Sequence, residues 1–180
     1  LESTIRLSSN ENPYGPSKNV QQRIKNSFNH GCRYPYAYSD DLASILAIKH
    51  GVSEESIIIT GGSTEGLRIT GLTFASNGGE IISGQPTFLA MMDYAKQWGA
   101  TINWVPVGAD KGYDLNEIEK RISSKTKLIF LCNPNNPTGT LVPAKKLVDF
   151  CDTASKKTIV FSDEAYYDYI EKPNYPSMIN

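Results

Sequence analysis

The chain has 180 residues, 39% apolar and 21% charged, enough apolar material for a packed domain and too much for wholesale disorder. Eighteen Lys and Arg against 19 Asp and Glu leave a formal net charge of −1, so the basic excess that a nucleic-acid backbone demands is missing. No apolar run approaches the roughly 18 residues of a membrane-spanning helix. Three cysteines (Cys32, Cys132, Cys151) and two histidines (His30, His50) show no metal-ligand or disulfide spacing, so neither a metal site nor a disulfide framework is expected. The odd cysteine count points to a reducing, cytoplasmic setting. With neither Met nor a signal-like stretch at Leu1, the N-terminus reads as processed or trimmed.

Residues 1–18 crowd Pro13, Gly15 and Pro16 among serines and asparagines, which predicts an irregular arm. Val20, Ile24 and Phe28 recur at helical spacing and predict a short amphipathic helix over 19–30. The tyrosine-rich stretch 32–41 reads as irregular. Asp40 or Asp41 then caps a helix through Leu42, Ile45 and Leu46 that Gly51 ends. From residue 56 the rhythm changes. Short apolar runs at 57–60, 80–83, 101–107, 127–132 and 158–162 alternate with helical stretches at 63–75, 88–98, 114–123 and 143–156. Strands of this kind are buried on both faces, as in a parallel sheet wrapped by helices. The fold class is therefore α/β, a mostly parallel sheet flanked by helices. An N-terminal arm and helices occupy 1–51 and the layered domain 52–180. In such sheets ligands sit at the C-terminal ends of the strands.

Three polar clusters follow predicted strands. Thr60-Gly61-Gly62-Ser63-Thr64-Glu65-Gly66 opens a helix, and Gly62, Ser63 and Thr64 offer hydroxyls and free N–H groups suited to a phosphate. It is neither a Walker loop nor a GxGxxG fingerprint, and a plain helix cap after a tight turn would look the same. Asn133-Pro134-Asn135-Asn136-Pro137-Thr138-Gly139 follows the 127–132 run, where Asn136 can aim its amide at a ligand between two conformationally fixed prolines. Asp163-Glu164-Ala165-Tyr166 ends the last strand, putting a carboxylate and a phenol at the same mouth. A capping Asp beside a surface Tyr is the plainer reading.

Taken together the clusters meet the demands of pyridoxal 5'-phosphate. That coenzyme needs an anion hole for its phosphate, a carboxylate against its pyridine nitrogen, donors at its phenolate oxygen and a flat partner for its ring. Gly62, Ser63 and Thr64, then Asp163, then Asn136 with Tyr166, and finally Phe88 answer those demands in turn. Phe88 follows the 80–83 run and can stack on the ring, although a core aromatic at the start of helix 88–98 would also explain it.

With Leu7-Ser8-Ser9-Asn10-Glu11-Asn12-Pro13-Tyr14-Gly15-Pro16, Arg33-Tyr34-Pro35 and the two later motifs, the sequence resembles the fold-type-I, pyridoxal-phosphate-dependent aminotransferases of class I and II, and among them the histidinol-phosphate aminotransferase group. The resemblance runs from Leu7 to Tyr169. It implies transamination of an amino acid, with histidinol phosphate and 2-oxoglutarate as the substrate pair. It implies that Asp163 and Tyr166 are catalytic and that Gly62, Ser63, Thr64, Phe88, Asn136, Asp163 and Tyr166 bind the coenzyme. It also implies a homodimer, in which Tyr34 reaches the partner's coenzyme phosphate and Tyr14 lines a substrate pocket.

The sequence departs from the family at points that matter. The family's Schiff-base lysine lies further beyond the acid than this sequence runs. The one lysine after Asp163 is Lys172, in a Glu-Lys-Pro-Asn setting unlike the family's motif. The basic residue that completes the phosphate site, the arginine that grips the substrate carboxylate and the small domain are likewise unmatched. The 180 residues therefore read as the N-terminal half of an aminotransferase, inactive by themselves. Two alternatives stay open: another enzyme of the same fold, such as an aromatic or aspartate aminotransferase or a threonine-phosphate decarboxylase, and a non-catalytic nucleotide- or phosphate-binding module.

Overall fold

A computed structural model describes Ile5 and residues 8–179; Leu1 and Leu7, on which the processed terminus and the start of the resemblance rest, lie outside the described residues. The chain divides into two compact units, Leu1–Leu42 and Ala43–Asn180.

In the first unit the described part of the arm is irregular, as its prolines and glycine dictate. Asn12 organises a turn by accepting the Tyr14 N–H at 3.0 Å. Helix α1 (Lys18–Ser27) is capped by the Ser17 hydroxyl, which accepts the Val20 N–H, and continues as a 3₁₀ turn, Phe28–His30. Helix α2 (Tyr36–His50) crosses from the first unit into the second. It begins well before Asp40, correcting the expected irregular stretch and the expected cap. The Pro35 carbonyl accepts the Ser39 N–H at 3.0 Å, so the first turn is nucleated by the proline.

The second unit is a four-stranded parallel sheet. Its strands are β1 (Glu80–Gln85), β2 (Thr101–Pro106), β3 (Thr126–Cys132) and β4 (Ile159–Asp163), in the order β2-β1-β3-β4. The helices are α3 (Ser63–Ala75), α4 (Ala90–Lys96), α5 (Leu115–Lys120) and α6 (Ala144–Ala154). Residues 57–60 form no strand. A strand exists only through its ladder, and these residues form none with the described strands: the Ile57 N–H closes a turn on the Glu54 carbonyl, and Ile58 is 81% exposed. The expectation of burial on both faces holds for the central β1 and β3 but not for the outer β2 and β4, which are half-exposed.

Side-chain alternation along the strands builds two cores. Ile81, Leu128, Phe130 and Cys132 point to one face and pack with Leu67 and Ala75 of α3 and Met91, Met92 and Ala95 of α4. Ile82, Ile129 and Leu131 point to the other and pack with Leu115 and Ile118 of α5 and Leu147, Phe150 and Ala154 of α6. The change of face follows from the strand order. From β1 the chain moves outward to β2 by way of α4, then passes back over β1 to reach β3 by way of α5. The loops leaving β1 and β3 thus lead to helices on opposite faces, and at the strand ends they are tied together where Thr87 and Pro86 bond to Asn135.

Phe130 is fully buried at the sheet centre and stacked on Phe161 with ring centroids 5.9 Å apart. Phe130→Ala should cost about 3–5 kcal/mol of stability, read as a lower midpoint in urea denaturation with an unchanged slope.

Candidate active site at the switch point

All four strands are parallel, so their C-terminal ends share one edge of the sheet, and the polar clusters collect there. Helix α3 joins β1 through the short turn 76–79 and returns along the sheet packed on α4 and β3, which brings its N-terminus to the same edge. Leu67, in its first turns, packs in the core that contains Cys132 at the end of β3. Gly62 caps this helix at φ 91°, in the left-handed region that favours glycine. Among the described residues the N–H groups of Gly62, Ser63 and Thr64 have no protein acceptor, while Ser63 and Thr64 are exposed. The neighbouring Gly61 N–H is occupied by the Glu65 carboxylate.

The 133–139 loop is held from both ends by asparagine amides turned inward. Asn133 accepts the Val142 N–H at 3.0 Å and donates to the Tyr175 hydroxyl at 2.8 Å. Asn135 accepts from Thr87 Oγ1 at 2.9 Å and from the Tyr113 hydroxyl at 2.8 Å, and donates to the Pro86 carbonyl and to Thr138. The Asn133–Pro134 and Asn136–Pro137 peptide bonds are both cis. Asn136, between buried Asn135 and exposed Pro137, is half-exposed, and its Nδ2 lies 3.5 Å from the Tyr166 hydroxyl. The two predicted donors are therefore adjacent. Phe88 follows Thr87 directly and sits half-buried against the α3/α4 core.

Asp163 is the last residue of β4 and pairs in register with Cys132. Phe161, two residues earlier, packs on the α3/α4 core, so strand alternation puts the Asp163 carboxylate on the face that carries α3. Asp163 is 8% exposed. Its Oδ1 accepts the Ala165 N–H at 3.1 Å, and no cation among the described residues forms an ion pair with it. Burial pushes its pKa above the ordinary 3.8, against the Ala165 hydrogen bond, and the nearby Glu164 charge raises it further. A buried carboxylate beside two amide or phenol donors, with a helix N-terminus on the same face and edge, is a donor set that fits an aromatic phosphate ester carrying a ring cation.

Tyr14 and Tyr34 belong to the first unit, where both are exposed; Tyr34 stacks on Tyr36 at 5.5 Å. Lys172 is exposed in the turn after the last 3₁₀ segment. Sequence reading missed Asn133, Asn135, Thr87, Tyr113 and Tyr175. The prolines flanking the asparagines drew notice to the loop, but which amides face inward depends on strands far apart in sequence.

The matching family is "Aminotransferase class I and II", over residues 2–178, and the chain belongs to it. Among curated relatives it is 37% identical over 180 residues to the histidinol-phosphate aminotransferase of Caldicellulosiruptor saccharolyticus, covering 100% of this chain and 50% of that protein. It is 35% identical over 179 residues to that of Bacillus velezensis, covering 99% and 50%. The chain spans about half the length of these relatives. A crystal structure from Erwinia carotovora atroseptica SCRI1043, named provisionally as a histidinol-phosphate aminotransferase, matches with a TM-score of 0.92 at 28% identity, over 99% of this chain and 52% of that one. Among the described residues no helix is long and apolar enough to cross a membrane.

The raised pKa of Asp163 means that the folded, coenzyme-free chain binds this proton more tightly than the unfolded chain. The stabilising contribution is present at acid pH and is lost as pH rises through the raised value. Asp163→Asn keeps the acceptor for Ala165 and removes the buried charge. Its stability relative to the parent should therefore improve from about pH 4 to pH 7, checked by paired denaturant titrations at the two pH values.

Proposed function

We propose that this chain is the coenzyme-orienting half of a pyridoxal-phosphate-dependent aminotransferase whose amino donor is histidinol phosphate and whose acceptor is 2-oxoglutarate. The reading rests on one observation above all. The buried Asp163 carboxylate ends β4 on the sheet face that carries α3, whose unsatisfied N–H groups lie at the same edge. Substrate choice rests on relatives of 32–37% identity that carry that name.

Bound at this edge, the coenzyme supplies an electron sink for the bond broken at the amino acid's α-carbon. Asp163 holds a proton on the pyridine nitrogen, and the cation created there relieves the burial penalty that raises the carboxyl's pKa. Asn136 Nδ2 and the Tyr166 hydroxyl converge on the phenolate oxygen and hold it ionised. Gly62, Ser63 and Thr64 bind the phosphate through N–H groups aligned with the α3 dipole. Phe88 covers one face of the ring and keeps water from it. In a homodimer, Tyr34 contributes to the phosphate site of the partner subunit and Tyr14 to a substrate pocket.

Lys172 is the one lysine after Asp163, and its exposed turn gives it no part in this site. The 180-residue chain alone should therefore produce no keto product when incubated with pyridoxal phosphate and histidinol phosphate; product formation in that half-reaction would refute the division of labour. In the full-length protein, a bound-coenzyme absorbance band and turnover of histidinol phosphate are expected. Asp163→Asn should lower kcat by about 10²–10³-fold while leaving the circular dichroism spectrum unchanged. A full-length protein that binds no pyridoxal phosphate, or a variant with parental kcat, would overturn the assignment.

A further inference from the structure

Tyr113 lies outside every cluster that the proposed function uses, yet its hydroxyl meets three polar atoms from three segments of the chain. The Cys132 N–H donates to it at 3.1 Å, Thr87 Oγ1 lies 2.8 Å away, and the hydroxyl donates to Asn135 Oδ1 at 2.8 Å. One oxygen thus joins three segments: the turn after β1, the end of β3 beside Asp163, and the loop that carries Asn136. We infer that Tyr113 is a positioning residue for this site, its phenol setting the 133–139 loop and Asn136 against the turn that carries Phe88. The inference rests on the coenzyme reading above for its purpose, but its geometry stands apart from it.

Several features make the phenol a clamp rather than a bystander. Thr87 Oγ1, the Tyr113 hydroxyl and Asn135 Oδ1 form a triangle in which two hydroxyl protons serve three contacts: with both donating to Asn135, Thr87 and Tyr113 are linked through that shared acceptor. Asn135 in turn holds the Pro86 carbonyl, and its backbone carbonyl accepts the Gly139 N–H at 2.7 Å, so the whole loop is indexed to this one amide. Burial raises the Tyr113 pKa to about 12, which keeps the phenol a donor throughout the working pH range. The ring also has a dedicated seat. A Cβ placed on Gly84 would lie 2.2 Å from Tyr113 Cδ1, so β1 carries glycine where the ring crosses its backbone. Tyr113 itself follows a 108–112 turn closed by the Gly108 N–H to Gly112 carbonyl bond, and the Lys111 carbonyl accepts from Thr140 at the far end of the same loop. The clamp therefore grips the loop at Asn135 and at Thr140.

Two variants of the full-length protein test this without sharing a failure mode. Tyr113→Phe removes the oxygen and leaves the ring seated; Gly84→Ala evicts the ring and leaves the oxygen on it. Hydrogen exchange on the coenzyme-free protein is the first measurement. Both variants should speed exchange at the Asn135 and Gly139 amides by at least about tenfold, while the amides of residues 128–131 in β3 keep the parental rate. These two loop amides bond to Thr140 and Asn135 carbonyls rather than to the phenol, so a change there reports loop position and not the missing acceptor. The second measurement is the pH titration of the bound coenzyme's absorbance. A displaced Asn136 should move its midpoint by at least half a pH unit, about threefold in the proton equilibrium, and lower kcat with little change in KM. Parental exchange at Asn135 and Gly139 in Tyr113→Phe overturns the inference. So does faster exchange spread evenly through β3, which would mark global destabilisation. Faster loop exchange with an unmoved midpoint overturns the positioning role as well. If neither parent nor variants bind pyridoxal phosphate, the coenzyme reading fails and the exchange result alone decides the clamp.

Discussion

Two inward-turned amides decide what this edge of the sheet can be. In a loop with two prolines and three asparagines the prolines fix their own φ but remove backbone donors, so they do not by themselves seat the loop on the sheet. Asn133 and Asn135 do so by burying their amides among Tyr175, Val142, Thr87, Tyr113 and Pro86. Every one of those amide atoms is satisfied, so the loop gains directionality at no desolvation penalty. Asn136 is the half-exposed asparagine of the three, its amide turned to the Tyr166 hydroxyl.

Charge is arranged with the same economy. Asp163 is the one carboxylate at the C-terminal end of a strand in this sheet, and it is buried without a cationic protein partner among the described residues. Such a placement destabilises the coenzyme-free chain and is hard to explain as a structural feature. The function proposed above gives it a reason: a cationic ring nitrogen would complete the pair and offset the desolvation that raises the carboxyl's pKa. At the other end of the site, the helix N-terminus provides neutral donors and requires no buried cation of its own.

Much of this was legible before any coordinates. The four helices of the second unit and the four paired strands follow from apolar periodicity and turn residues alone, and so does the position, though not the role, of Asn136, Tyr166 and Asp163 at the strand ends. What was not legible shares one cause. Residues 57–60 look like a strand because Ile57, Ile58 and Ile59 are β-branched, but a strand depends on a neighbour that local sequence does not name. The start of α2 at Tyr36 was hidden behind tyrosines that look irregular yet pose no obstacle to a helix nucleated by Pro35. Tyr113 was invisible for the same reason. Its partners lie 26, 22 and 19 residues away, and only the strand order β2-β1-β3-β4 brings them together.

That dependence on distant partners fixes when this edge comes into being. The Thr87 to Asn135 bond spans 48 residues and closes only after β1 and β3 have paired across the whole α4-β2-α5 excursion. Contacts of such range form late, since the chain must first surrender the freedom of everything between them. A small molecule that binds this edge in the native chain deepens the native basin by mass action, and so stabilises long-range contacts it does not touch.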